Sequence, residues 1–230
     1  MRTVTEMVSR VRLVLQDIHK DNWENDTIKT ALKDAAALLS RELLAHPIGQ
    51  RLLLAWSDPQ SFTDNTESYA FPVGCLRVHR VQFRESGTGA WRFLEYRTRQ
   101  PGKSEPPKYW TQNLEDGEIV IWPAIVSVSA EEYRLRYYKR IKFPTADTGG
   151  FNDPAGDGSE TYNYPEIMDS AVEYKAALEL AGQEYLETAQ QKTLQNAYMW
   201  YYNSMIQAMP MGWPDRHRLT AYQQKGGDDE

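Results

Sequence analysis

The chain holds a single cysteine, Cys75, among its 230 residues. An intramolecular disulfide and a zinc site built from several thiolates are therefore excluded. No stretch approaches the roughly 20 apolar residues of a membrane-spanning helix. The opening MRTVTEMVSRVR puts charges where a secretory signal needs an apolar core, so export by that route is not expected. The sequence has no GxxxxGK[ST] or GxGxxG loop and no GxSxG elbow, which removes the common phosphate-cradling and nucleophile-elbow chemistries. Of the four histidines, His19, His46, His79 and His217, no two lie at the i, i+4 spacing of a helical metal site. His19 and His46 fall near expected helix C-termini, where a cation is favourable without any function. His79 lies between strand arginines and reads as a sheet-surface residue.

Aromatics are plentiful instead: 7 Trp, 14 Tyr and 6 Phe. Charged residues make up 25%, too well mixed with apolar ones for global disorder. The net charge of −6 is unevenly spread. Residues 1–75 carry 8 Lys/Arg and 10 Asp/Glu, residues 76–142 carry 13 and 8, and residues 143–230 carry 5 and 14. A basic middle thus lies between two acidic flanks. This suits head-to-tail packing of identical subunits, although ordinary fluctuation gives the same counts.

The periodicity predicts a helix over 3–19, with Val4, Val8, Val11, Leu15 and Ile18 on one face. A second starts near Asp26 as N-cap and carries Ile28, Leu32, Ala35, Leu39 and Leu43. Pro47 and Gly49 break it, and Leu52, Leu53 and Leu54 add one more turn. Residues 57–68 read as a polar loop. A strand-like run follows with Leu76, Val78, Val81 and Phe83, whose slip in parity between Val78 and Val81 marks a bulge. After a turn at 87–89, Trp91, Phe93, Glu95 and Arg97 read as its antiparallel partner. Residues 101–107 are too proline-rich for a sheet interior. Asp116-Gly117 forms a turn before Ile119, Ile121 and Trp122. Residues 131–140 alternate as a half-buried strand, and 144–163 read as a long glycine-rich loop. Two helices close the chain, one with Ile167, Ala171, Tyr174, Leu178, Ala181 and Tyr185, the other with Leu194, Tyr198, Tyr201 and Ile206. The expected fold is α+β, with N- and C-terminal helices packed as a bundle and a small antiparallel β module inserted between them. Its parts are a helical domain from 1–56 and 164–209, a β module over 69–143, a flexible loop over 144–163 and an extended tail over 210–230.

Candidate sites are few. Cys75 and His79 are four apart on one strand, about 13 Å along it, too far for a thiolate–imidazole pair. The acids of 147–160 fail the EF-hand register from every aspartate. No metal or cofactor is expected. As an enzyme the chain would draw on Glu131, Glu132 or the acids of 147–160, but nothing sets a base beside a nucleophile. The densest basic run alternates: Arg134, Arg136, Tyr138 and Arg140 share one strand face, opposite Tyr133, Leu135, Tyr137 and Lys139. That row reads as a solvated or subunit-facing face, with nucleic-acid binding as the alternative. An acidic chain argues against sequence-specific binding to DNA. In the last helix YMWYY places more aromatics than one core stripe needs, and Met205, Met209, Met211 and Trp213 follow. This end reads as a binding segment, with a core-only role left open.

Taken in order, several segments resemble the head-to-tail adaptor (connector, or head-completion) proteins of tailed bacteriophages. They are TVTEMVSRVRLVLQD at the start, Trp23 and then DTIKTALKDAAALLSREL, YAFPVGCLRVHRVQF at 69–83, PKYWTQNLEDGEIVIWPAI at 107–125, EEYRLRYYKR at 131–140, and Pro165 before the final helices. The resemblance covers about residues 3 to 206. It implies a structural virion protein rather than an enzyme. Such a protein is made in the host cytoplasm and placed in the virion neck, as a ring of identical subunits, twelve by the family pattern, beneath the portal protein. The ring extends the DNA channel, passes the genome without sequence-specific binding, and docks a tail nozzle, tail-tube or neck protein. The portal-binding residues it implies are Tyr198, Trp200, Tyr201, Met205, Met209, Trp213, Arg216, Arg218 and Tyr222. The subunit or tail interface it implies draws on Arg134, Arg136, Tyr138, Arg140, Trp91 and Trp110. Another neck or tail-completion (gatekeeper) protein is the alternative within the virion, and a nucleic-acid-binding module the alternative outside it.

Overall fold

The computed structural model describes residues 1–16, 22–85, 89–98, 107–124, 131–156, 162, 164–183 and 188–208. Helix α1 spans Val4–Leu15 and opens on a capping box, in which Glu6 N–H donates to Thr3 Oγ1 and Thr3 N–H donates to Glu6 Oε2. It ends earlier than the expected helix over 3–19, at Gln16, whose φ of 61° turns the chain left-handed. Ile18 and His19 lie outside the described residues. Helix α2, Asn25–Ala45, begins one residue before Asp26, with Glu24 as N-cap and no side-chain cap bond. Asp26 is in the first turn, where its charge favours the helix dipole. The five expected apolar positions of α2 are all buried, joined by Ala31, Ala36 and Ser40. Buried Arg12 ties α1 to the entry of α2 by donating to Trp23 O at 2.6 Å and Asn25 Oδ1 at 2.8 Å.

The short helix α3 is Gln50–Leu53, and Leu54 leaves it as the first residue of strand β1, Leu54–Trp56. The loop expected over 57–68 contains strand β2, Gln60–Ser61, and buried Phe62. Phe62 is the one large apolar side chain of that stretch, and its ring packs within 5.1–5.7 Å of Tyr69, Phe83 and Tyr133. The remaining strands are β3 Ser68–Ala70, β4 Cys75–Arg84, β5 Arg92–Phe93, β6 Glu95–Tyr96, β7 Tyr109–Asn113, β8 Glu118–Trp122 and β9 Glu132–Lys139.

They form two sheets. The first runs β1-β9-β4-β5, with β2 also paired to β9, and the second runs β3-β8-β7-β6. The expected bulge is present as a register shift between Val78 and Arg80, and a second lies between Cys75 and Arg77. The expected antiparallel partner over 91–97 is split. β5 pairs antiparallel with β4, but at buried Leu94 the chain crosses over, and β6 runs parallel to β7 in the other sheet. The two sheets enclose a core of Phe62, Val81, Phe83, Trp110, Ile119, Ile121, Tyr133, Leu135 and Tyr137.

Helices α4, Ile167–Gln183, and α5, Thr188–Gln207, complete a second core with α1 and α2. In α4 the buried apolar set is Met168, Ala171, Val172, Ala176, Ala177, Leu180 and Ala181, with Asp169 and Glu173 buried beside it. Ile167, Tyr174 and Leu178, expected inside, are only half-buried. The reason is that α4 packs against α1, α2 and α5 at once, and its alanines allow close approach on several sides. The first sheet joins this core through Tyr138 and Leu54.

Over residues 144–156 the glycine-rich segment is packed. Gly150 and Asp153 exchange backbone bonds of 3.0 and 3.1 Å, Val4 N–H donates to Gly149 O, and Phe151 is fully buried in the helical core. A Cβ on Gly150 would come within 2.8 Å of Arg2 O, so the close approach of the two chains needs glycine there.

Candidate interaction surfaces

The alternation of β9 sends Tyr133, Leu135 and Tyr137 between the sheets and Arg134 and Arg136 to the outer face of the first sheet. The ladder then assembles neighbours from other strands. Arg136 is paired with Trp56 on one side and Arg80 on the other, and Arg134 with Gln82, which is itself paired with Phe93. The guanidinium of Arg134 lies over two rings, 4.5 Å from the centre of Trp56 and 4.4 Å from that of Trp91. Arg136 lies over Trp56 at 5.6 Å, Arg84 over Trp91 at 4.5 Å and Arg80 over Phe93 at 5.3 Å. Arg134 Nε donates to Gln82 Oε1 at 2.7 Å, and Arg84 pairs with Glu132. Four arginines and one carboxylate, with Trp56 and Phe93 still 41% and 55% exposed, make this a cationic–aromatic face. Stacking of this kind fixes long side chains that would otherwise lose entropy on binding.

Of the six residues first assigned to this interface, Arg134, Arg136 and Trp91 come together. Tyr138 shares their strand face but is buried against the helices, where its hydroxyl donates to Gln50 Oε1 at 3.0 Å and its ring lies beneath Arg77. Trp110 is buried between the sheets against Tyr96, because β7 sends it inward. Arg140 is exposed just past the end of β9. Trp56, Arg80, Arg84 and Phe93 were missed. For the β4 pair the signal was the same alternation, Arg80-Gln82-Arg84 against Val81 and Phe83.

On α5 the predicted residues divide. Met205 is fully buried and Tyr198 nearly so, its hydroxyl hydrogen-bonded to Glu42, which also pairs with Lys175 at 2.8 Å. Burial, and then the acceptor Glu42, push the Tyr198 phenol well above its usual range. Trp200 is 61% exposed and Met199 45%. Half-buried Tyr201 stacks on Tyr174 at 5.0 Å, and the Trp200 ring meets Tyr201 edge-on. Met209, Trp213, Arg216, Arg218 and Tyr222 lie outside the described residues.

Several titratable groups among the described residues are tied into the fold. Arg2 N–H donates to Asp169 Oδ2 at 2.6 Å, and its guanidinium meets Glu173 at 3.0 Å. Burial outweighs Arg2 and pushes Glu173 up to about 7. Burial likewise pushes the Cys75 thiol up to about 11, away from a nucleophile's range. Of the acids considered for catalysis, Glu132 is held by Arg84 and Asp147 by Lys29 at 2.8 Å, while Asp157 and Glu160 lie outside the described residues. His79 meets the Tyr138 hydroxyl at 3.3 Å, and His46 Nδ1 accepts from Gly49 N–H. Among the described residues no group of three or more His, Cys, Asp or Glu is placed to hold a metal ion, and no helix is long and apolar enough to cross a membrane.

No curated protein matches the chain. The family model of the SU10 adaptor protein matches it over residues 2–224, nearly its whole length, so the helical ends, both sheets and the segment after α5 all fall within one family pattern. The chain belongs to the SU10 adaptor protein family, a family of phage head-to-tail adaptors, and is a structural component of the virion.

Proposed function

We propose that the protein forms a ring of identical subunits beneath the portal protein, extends the DNA channel, and offers the tail its docking surface. The observation that carries this reading is the division of α5. Tyr198 and Met205 anchor the helix in the core, while Trp200 and Met199 remain on the surface, directly before residues 209–222. An anchored helix with exposed aromatic and thioether groups is suited to a large partner, because tryptophan and methionine are favoured at interface cores. The partner is the portal protein in this reading, with Trp200, Tyr201 and the segment from Met209 to Tyr222 as the contact, and twelve the expected number of subunits. The β module then faces the neighbouring subunit and the tail. The role is structural, and DNA passes without sequence-specific contact.

The test is light scattering coupled to gel filtration, with the protein alone and mixed with the neighbouring portal protein. A defined large complex with the portal is expected, and its mass gives the stoichiometry. A protein that ignores the portal overturns the reading. Removal of residues 210–230 is expected to abolish portal binding while leaving the fold intact; unchanged binding would point to another neck or gatekeeper role.

The arginine–aromatic face favours one second reading, a nucleic-acid-binding module. Its signature is a DNA affinity falling steeply with salt, about 0.9 log units per log unit of salt for each phosphate neutralised.

A further inference from the structure

The molecule carries a second surface of opposite character. The hairpin joining β7 to β8 is Asn113-Leu114-Glu115-Asp116-Gly117-Glu118, with three carboxylates and no cation. Leu114 is 58% exposed, and Glu115 and Asp116 are exposed. The turn is built for projection. Gly117 takes a φ of +69°, Asn113 Oδ1 accepts from Glu115 N–H, and its amide bonds Asp116. The turn that follows β3 ends at the same edge, since Phe71 N–H donates to Gly117 O, and it exposes Val73 almost completely, at 98%. The tip is therefore acidic with two bare aliphatic side chains. The face on the first sheet is cationic with two part-exposed rings, its four arginines and Glu132 leaving +3 against the −3 of the tip.

These two surfaces cannot meet within one chain. Gln112, beside the tip, accepts from Val78 N–H in the first half of β4, whereas the arginine face is centred on Arg80–Arg84 further along the strand and on its other side. From Val78 to Gln82 the strand covers roughly 13 Å at about 3.3 Å per residue. The tip also belongs to the sheet that covers the opposite side of β4. Two complementary patches that cannot close on each other in one chain make a heterologous contact between copies, which gives a ring when the rotation closes.

We infer that the tip formed by Val73, Leu114, Glu115 and Asp116 docks on the arginine–aromatic face of a second copy, formed by Trp56, Arg80, Arg134 and Arg136. A guanidinium stacked on a ring covers that ring's face and directs its N–H donors sideways, where a carboxylate is taken in a two-pronged fashion. This favours an acidic protein surface over stacked bases, whose platform the arginines already occupy. The inference rests on the ring proposed above and names the contact that would build it.

The test uses two full-length variants, one with Arg134→Glu and Arg136→Glu, the other with Glu115→Arg and Asp116→Arg. Each is checked for an unchanged circular dichroism spectrum and melting temperature, and Arg134→Gln with Arg136→Gln stands in where the reversal does not fold. Mass is read by sedimentation, alone at high concentration and with the portal protein. Wild-type protein is expected to give multimers in at least one condition. Each variant alone is expected to lose them. An equimolar mixture is expected to reassociate to at least twice the subunit mass, because the unchanged tip of one variant meets the unchanged face of the other and the two reversed patches are again opposite in sign. Variants that assemble like wild type overturn this contact and leave the ring reading standing. Wild type that forms no multimer in either condition overturns both. Salt-sensitive DNA binding lost only in the arginine variant assigns the face to nucleic acid, and assembly lost only on removing residues 226–230 assigns it to that acidic end; either result overturns the inference.

Discussion

Glu173 has no exposed surface, and it pairs with Arg2, itself part of the segment that leads into α1, with Arg10 acting in the same sense from further off. Its carboxyl is raised from an ordinary 4.5 to about 7, with burial the main cause and Arg2 opposing it. A folded-state value above the unfolded one contributes stability at low pH that is lost as pH rises through the folded value. Between about pH 4.5 and pH 7 this group therefore withdraws on the order of 3 kcal/mol, and Asp169 beside it is shifted in the same direction by its own burial. Urea unfolding of Glu173→Gln across that range should show a shallower fall in stability with pH than the unsubstituted protein. A parallel pair of curves would refute this account of Glu173. No local pattern around Glu173 announces such a site, because a helical glutamate reads as solvated until a distant segment covers it. The arginines of β9 were legible from strict alternation alone. Trp56 and Phe93 join them only through pairing across the sheet, which period-two patterning within one strand does not encode.

At the scale of elements, α5 has the clearest division of labour. Tyr198→Phe removes a buried hydroxyl bonded to Glu42 and should cost about 1 kcal/mol, while Glu42 keeps Lys175. Trp200→Ala, at an exposed site, should change stability by less than about 0.5 kcal/mol. Denaturant titration of both variants checks the contrast, and equal losses would place Trp200 in the core after all. The same helix shows where sequence periodicity stops. Leu194 and Tyr198 mark the buried stripe, but YMWYY is aromatic on every side and does not say which ring turns outward. In α2 every expected stripe position is buried, and only the small residues Ala31, Ala36 and Ser40 widen it. In α4 the expected stripe is not all buried, because three helices surround it and alanine carries little pattern of its own. The short strands β2 and β6 are set by tertiary pairing, to β9 and β7, and two-residue strands leave no period to read.

For the molecule as a whole, the proposed contact between copies would set three carboxylates against four arginines at a partly solvated surface. Such attraction is screened over about 8 Å at physiological salt and about 3 Å at 1 M. Subunit association measured by sedimentation should therefore weaken from about 0.05 M to about 1 M sodium chloride, with the aliphatic and aromatic contacts leaving a residual affinity. Association that strengthens with salt would indicate an apolar interface elsewhere. The crossing at Leu94 has a mechanical consequence. Its amide bonds Val81 in the first sheet, while the next amide, of Glu95, bonds Lys108 beside the second. A shearing load between the two layers is thus carried by a covalent link and by backbone bonds on either side of it, not by side-chain packing alone. A subunit gripped at the hairpin on one layer and at the arginines on the other shares the pull among the chain crossings that join the layers, Leu94 and the turn from β3 into β4 among them.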